Sequence, residues 1–341
     1  MIKGIAASDF HLGLVTDDLD RTDEIMSVMR YIFKYAVKEK CQFVALPGDI
    51  FHTNSPTDHQ IGLFISALNI LRKKSIRVFI IPGNHEAKHK GRSCLSFLKE
   101  LKDGYPNVHL FEDIKTVKMW DSKANNGAIY FTFIPYLYKT HIDQEKYKSV
   151  QDYINKRCEQ IHNKIPIYAK HFVFSHLLME GTIVGTENTM LKRANLFVPE
   201  VLMTKNHLGV LPVIINGHQH TRNRIGNVRI IGSPIFCRFD EKETHKYFIQ
   251  LNIPTVPFNN PKVIKFMRTP CHKFEEFEID LLESSVEEAI KSIRPRKDSI
   301  VKLNVTCRDT DNFDFENIRE QISAKCYYVK PIQPRYVRKR I

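Results

Sequence analysis

Two aspartates, an asparagine and four histidines stand in order along this chain. They are Asp9 and His11 of Asp9-Phe10-His11, Asp49 after Gly48, Asn84 of Gly83-Asn84-His85-Glu86, His176 after Ser175, and His218 and His220 of Gly217-His218-Gln219-His220. Oxygen donors mixed with imidazoles, with no thiolate among them, suit Mn²⁺, Fe²⁺ or a borderline Zn²⁺ rather than a thiolate-type structural zinc. Seven donors exceed what one tetrahedral ion needs, whereas two ions sharing a carboxylate would use all of them and leave positions for water and substrate. Asp49 is the candidate bridge, because the two oxygens of a carboxylate can span ions held about 3.5 to 4 Å apart. Asp9 and His11 share an i, i+2 spacing that aims both side chains the same way from an extended segment, and His218 and His220 repeat it. Two divalent ions against two carboxylates would leave the site electropositive, which favours a phosphoester substrate.

Such scattered residues need a scaffold that gathers them. Each motif follows a short apolar run: Ile2 to Ala7, Phe43 to Leu46, Val78 to Ile81, Phe172 to Phe174 and Val213 to Ile215. Runs of this kind suit strands buried on both faces. Helical spacing occupies Thr22 to Lys38 and Asp58 to Lys73, and Ser93 to Lys102 offers a third helix. The early chain therefore reads β, α, β, α, β, an α/β arrangement in which the residues after the strands converge on one sheet edge.

The ordered series Asp-x-His, Gly-Asp, Gly-Asn-His-Glu, His and Gly-His-x-His resembles the calcineurin-like metallophosphoesterase superfamily. Within it, Gly48-Asp49-Ile50-Phe51-His52 with Asn54-Ser55-Pro56, and Gly232-Ser233-Pro234 after the last motif, resemble the double-strand-break nuclease branch of SbcD-type and meiotic-recombination subunits. The resemblance spans about residues 1 to 250. It implies a layered β-sheet core flanked by helices, with a small C-terminal α/β capping domain. It also implies one Mn²⁺ held by Asp9, His11, Asp49 and His220 and another by Asp49, Asn84, His176 and His218. His85 is then the catalytic imidazole beside the leaving oxygen, and His52 orients substrate or water. Water would attack phosphorus in line, with the ions acting as Lewis acids. Glu86 departs from the Asp more usual in the nuclease branch. Phosphoprotein phosphatases of the superfamily carry Asp-Arg-Gly after the bridging aspartate, where this chain has Ile50-Phe51-His52, which argues against that reading.

Composition permits a polyanionic substrate: 51 Lys and Arg against 38 Asp and Glu give a net charge of +13 and a pI near 9.3. Lys330, Arg335, Arg338, Lys339 and Arg340 form a basic tail with Tyr336 among them and no acidic residue, a candidate phosphate contact. Lys192 with Arg193, and Arg222 with Arg224, follow metal motifs and are weaker candidates. His59, His89, His141, His162, His171, His207, His245 and His272 match no motif and are expected to be exposed or locally hydrogen-bonded.

A linker is predicted at Ile253 to Pro261 from its prolines and asparagines, dividing a nuclease domain at 1–258 from a capping domain with its tail at 265–341. Beyond the linker, strands are predicted at Phe274 to Ile279, Ser299 to Val305 and Cys326 to Val329. Helices are predicted at Leu281 to Ile293 and Phe313 to Ile322. The family implies further that this layer selects and orients DNA, and that a homodimer forms through Asp58 to Lys73 and Ser93 to Lys102. It implies an SbcC-type coiled-coil ATPase partner in a two-plus-two assembly, although the chain stops soon after the layer, where many relatives continue into a segment that grips the ATPase.

Seven cysteines without a CxxC pair, no apolar run near the roughly 20 residues of a membrane span, and a start that lacks a secretory pattern lead to an expected cytoplasmic setting, in a bacterium or a phage-infected cell. The leading expectation is a Mn²⁺-dependent DNA nuclease, a 3′–5′ double-strand exonuclease and single-strand endonuclease. The same metal set would also serve a phosphomonoesterase or cyclic-nucleotide phosphodiesterase, and a noncatalytic scaffold is the third class.

Overall fold

In the computed structural model the strand Phe43–Pro47 is buried along its whole length, and its alternation explains why the run lacks polar residues. Val44 and Leu46 face a helix layer, while Phe43 and Ala45 face a second sheet. The structure describes residues 1–90, 92–120, 128–166, 169–179, 196–241, 243–255 and 263–337. Lys192, Arg193, Arg338, Lys339, Arg340 and most of the predicted linker lie outside them.

Four layers result. One helix layer consists of Thr22–Lys38 and Asp58–Arg72. The first helix carries Asp23 and Glu24 in its opening turn and Lys38 in its last, complementing its dipole, and buries Ile25, Val28, Met29, Ile32 and Phe33. The second starts at a capping box in which the Thr57 hydroxyl accepts the Gln60 N–H and the Gln60 side chain accepts the Thr57 N–H. Beneath these helices lies a six-stranded sheet, in spatial order Ile264–Arg268, Tyr247–Ile253, Ile2–Ala6, Phe43–Pro47, Arg77–Ile81 and Val108–Leu110. The strand Ile2–Ala6 pairs parallel with Phe43–Pro47 on one side and antiparallel with Tyr247–Ile253 on the other. A second six-stranded sheet runs Asn223–Ile225, Val228–Ile230, Val213–Asn216, Lys170–Ser175, Ile129–Ile134 and Lys115–Trp120. The helix Val150–His162 covers its outer face through Ile154 and Cys158.

Between the sheets Phe43, Phe79, Phe131, Phe133 and Phe174 interlock, with Phe43 edge-on to Phe131 at 4.9 Å and Phe133 stacked on Phe174 at 5.3 Å. The expectation of one sheet edge is thereby corrected to the facing ends of two sheets. Alternate residues of each buried run belong to different interfaces, an arrangement that an apolar run alone cannot reveal.

The segment Cys94–Lys99 is a 3-10 helix where a longer helix was predicted. Ser93, which opens it, gives its hydroxyl to Glu112 and also accepts the Leu95 N–H, so the turn is tied down at its first residue. The strand Ile264–Arg268 follows the predicted boundary yet hydrogen-bonds to Tyr247–Ile253 in the first sheet. A separate four-stranded parallel sheet starts at Lys273, built from Lys273–Asp280, Ser299–Arg308, Tyr328–Val329 and Arg335–Val337, with helices Val286–Ser292 and Phe315–Ser323 around its own apolar core. It meets the hairpin Val15–Thr16/Leu19–Asp20 through Lys330 to Asp17 at 2.9 Å and Arg319 to Asp18 at 3.2 Å. Glu24 accepts the His272 N–H at 2.9 Å, and Arg21 lies over the Phe274 ring.

Candidate metal centre

Four of the residues expected to bind metal hold left-handed backbone conformations: Asp9 at φ 58°, His11 at 53°, Asp49 at 53° and His218 at 76°. Non-glycine residues adopt this region at a cost of order 1–2 kcal/mol each, so the surroundings must enforce it. Each of these N–H groups is held. Asp9 N–H donates to the Gly48 carbonyl and His11 N–H to that of Asp49, both at 3.0 Å. His218 N–H donates to the Asp9 carboxylate at 3.0 Å, and Asp49 N–H to Glu86 Oε2 at 2.9 Å. The turns after separate strands therefore fasten one another. Gly48, itself at φ 91°, lies against the His176 ring, and a Cβ there would collide with it.

The first sheet delivers Asp9, His11, Asp49 and Asn84, and the second delivers His176, His218 and His220. Ligand atoms of Asp9, His11 and His220 lie within 4.8 Å of one another, as do those of Asp49, His176 and His218. Asn84 Oδ1 sits 3.0 Å from His176 Nε2 and 2.8 Å from His218 Nδ1. His11 Nε2 and His220 Nε2 face each other at 2.9 Å. Asp49 Oδ2 reaches both groups, at 3.1 Å from His176 Nε2 and 3.9 Å from His11 Nε2. All seven candidate ligands thus lie in one cluster, with Asp49 between its His11 and His176 sides.

This donor set fits divalent cations. His176 Nδ1–H donates to the Pro47 carbonyl at 2.8 Å, which fixes the tautomer and leaves Nε2 toward Asn84 and Asp49. Burial, and next the charge of His176, push His218 down to about 3. Burial, and next His220, hold His11 well below the ordinary imidazole range. Burial therefore favours the neutral form of both rings, the form that carries a lone pair for a metal. Burial opposes the charge of Asp49, yet His176 beside it holds the carboxyl well below its usual range. Burial likewise opposes the His176 cation, but Asp49 outweighs it and raises that imidazole to about 9. Each partner favours the charged form of the other, so Asp49 offers this side of the cluster a carboxylate on which positive charge is stabilised.

His85 and His52 complete the cluster from the first sheet. His85 N–H donates to Asp49 Oδ1 at 3.0 Å, and its Nδ1–H donates to the His52 carbonyl at 2.6 Å, leaving Nε2 as the acceptor edge. Its ring lies 4.7 Å from that of His11 and is stacked on His52 at 5.4 Å. Burial, and next His85, lower the His52 imidazole, whose Nδ1 is 3.5 Å from His11 Nδ1.

Sequence reasoning missed the supports. Glu86, fully buried, accepts N–H groups from Gly83 at 2.7 Å, Asp49 at 2.9 Å and Phe51 at 2.8 Å, so it ties its own turn after Ile81 to the turn after Pro47. Asn216 joins the two strand ends of the second sheet. It accepts from Ser175 Oγ and donates to the carbonyls of Leu177 and Gly217. Behind His220, the buried Lys246 donates to the His220 carbonyl at 2.8 Å and pairs with Glu241 and Glu243. Only the oddity of Glu86 was visible as a signal. Among the basic candidates, Lys330 is paired with Asp17, Arg335 and Tyr336 are exposed in an edge strand, Arg224 is exposed, and Arg222 lies 4.2 Å over the Tyr247 ring.

Two relatives share most of the chain. It is 23% identical over 299 residues to the SbcD component of the SbcCD nuclease of Staphylococcus epidermidis, covering 85% of this chain and 75% of that protein. It is 23% identical over 337 residues to the DNA double-strand break repair protein Mre11 of Nanoarchaeum equitans, covering 95% and 82%. A crystal structure of a dimetal phosphatase from Danio rerio aligns with a TM-score of 0.43 at 14% identity, covering 73% of this chain and 91% of that one. Residues 4–222, from the first candidate ligand motif to the last, match the model of the calcineurin-like phosphoesterases, and the chain belongs to that family.

Proposed function

We propose that this phosphoesterase is a Mn²⁺-dependent DNA nuclease, a 3′–5′ double-strand exonuclease and single-strand endonuclease. In this reading it is the nuclease component beside an SbcC-type ATPase, assembled as a homodimer within a two-plus-two complex in the cytoplasm. The observation that carries the reading is the position of Asp49, whose carboxylate touches one histidine of each ligand group while also accepting the main-chain N–H of His85. The names of the two relatives support DNA as the substrate, and the net charge of +13 suits a polyanion. Ile50 and Phe51, fully buried, take the place where phosphatases of the superfamily present a phosphate-binding arginine. Among the described residues no helix is long and apolar enough to cross a membrane.

Two divalent ions would be held by Asp9, His11, Asp49 and His220, and by Asp49, Asn84, His176 and His218, and would supply Lewis-acid activation of water and charge neutralisation at the phosphate. The remaining work falls to the chain. His85, anchored through Nδ1 to the His52 carbonyl, presents Nε2 to protonate or stabilise the leaving oxygen. His52, stacked behind it, limits rotation of that ring and orients substrate. The four-stranded C-terminal layer, seated on the hairpin that follows His11, is assigned the role of a cap over the DNA path.

The test is cleavage of end-labelled single- and double-stranded DNA by the wild type and His85→Ala with Mn²⁺, Mg²⁺ or chelator, beside a small chromogenic phosphodiester. Cleavage of DNA that needs both Mn²⁺ and His85 is expected. Turnover of only the small ester, with the ATPase partner present or absent, would sink the nuclease reading.

A further inference from the structure

His89 matches no sequence motif, yet it forms the closest aromatic stack near the candidate metal centre. Its ring lies 3.9 Å from that of Tyr138 with 25° between the planes, and the residue is exposed. An exposed loop seldom holds a ring in register without help, and here the help is extensive. The Lys88 carbonyl accepts from His141 Nε2 at 2.7 Å, and the His89 carbonyl accepts from the Thr140 hydroxyl at 2.7 Å. His141 is buried and receives the Tyr138 N–H on Nδ1, so both of its nitrogens are committed to this junction. Arg92 donates to the His141 carbonyl at 3.0 Å, closing the loop against the same segment.

The junction sits beside the chemistry. Ala87 N–H donates to the Gly83 carbonyl and Tyr136 N–H to that of Pro82, tying both segments to the turn that carries Asn84 and His85. Tyr136 packs edge-on against Tyr138 at 5.5 Å. Burial, and next the Asp49 carboxylate, raise the Tyr138 phenol, so Asp49 lies within electrostatic reach. The two segments, 87–92 and 135–142, carry Lys88, Lys90, Arg92 and Lys139 and no acidic residue.

We propose that the His89–Tyr138 pair is a stacking platform for an unpaired nucleobase flanking the scissile phosphate, with Lys90 and Lys139 beside the adjoining backbone. The proposal rests on the nuclease reading and names single-stranded polynucleotide as what this rim takes. A ring face presented to solvent can accept only a base that has left the duplex stack, and any base will serve because each has a π-face. A basic rim supplies the sequence-independent attraction.

The probe is a set of single-stranded oligonucleotides with 2-aminopurine placed at successive positions, titrated in chelator so that nothing is cut. The wild type should quench one position strongly. His89→Ala should abolish that quench and weaken binding roughly 5- to 150-fold, the equivalent of one lost aromatic stack. His89→Phe should restore both, and an abasic residue at the quenched position should erase the difference between wild type and His89→Ala. Equal affinity and quench in wild type and His89→Ala, or no rescue by phenylalanine, would overturn the platform alone. A wild type that binds no oligonucleotide yet hydrolyses the small diester would overturn the nuclease reading and the platform with it.

Discussion

Glu86 Oε2 accepts the backbone N–H of Asp49 at 2.9 Å, so the residue that touches both ligand groups is held from behind by a carboxylate 37 positions away. The same oxygen accepts Gly83 N–H, and Oε1 accepts Phe51 N–H. In Glu86→Gln one of these acceptors becomes an NH₂ pointed at an N–H. The substitution should cost about 1–3 kcal/mol, read as a lower denaturant midpoint. An unchanged midpoint would refute the tie.

Asp49 and His85 should separate binding from catalysis. Asp49→Ala is expected to lose bound metal as well as activity, because its carboxylate reaches both histidine groups. His85→Ala should keep metal content and lose about 10²- to 10⁴-fold in turnover, the usual worth of a positioned acid or base. Elemental analysis of the two proteins beside the wild type decides it, and full metal occupancy in the Asp49 variant would remove the bridging assignment.

Lys246 is a cation without exposed side-chain surface, compensated by Glu241 and Glu243. Lys246→Met would leave two largely buried carboxylates without that partner, at an expected cost of about 3–5 kcal/mol, and adding Glu241→Gln should recover part of the loss. Thermal or chemical melts of the single and double variants measure this, and a loss below about 1 kcal/mol in the single variant would count against it.

Acid should weaken the fold through a histidine far from the candidate ligands. His171 is buried, its Nε2 lies 2.8 Å from the Thr132 hydroxyl, and burial followed by the nearby His162 pushes its pKa down to about 3. The unfolded chain takes up this proton below about 6.5 and the folded one does not, so the stabilisation is complete above that pH and declines as pH falls toward 3. The slope is about 1.4 kcal/mol per pH unit for the one site. His171→Gln should flatten the stability profile between pH 6.5 and 4 by one proton, and an unaltered slope would discard the assignment.

How much of this was legible in the sequence varies by element. The helix Thr22–Lys38 and the core strands are visible because their apolar spacing matches their burial, and the motifs mark where those strands end. The division into two sheets is not legible. Phe43 and Val44 look alike in a sequence although they face opposite interfaces. The positive φ at Asp9, His11, Asp49 and His218 is equally hidden, since it is imposed by hydrogen bonds from turns up to 209 positions away. Lys330 reads as part of a free basic tail until Asp17 is seen beside it.

The aromatic layer between the sheets has a consequence at a distance. Asp9, His11, Asp49 and Asn84 hang from one sheet and His176, His218 and His220 from the other, so Phe131 and its neighbours space the two halves of the candidate ligand set and would fix the bite of a two-jawed chelator. Trimming Phe131 would slacken the jaws without touching a candidate ligand, and ions gripped between them would in turn clasp the sheets together, so that ion affinity and resistance to unfolding would rise and fall together.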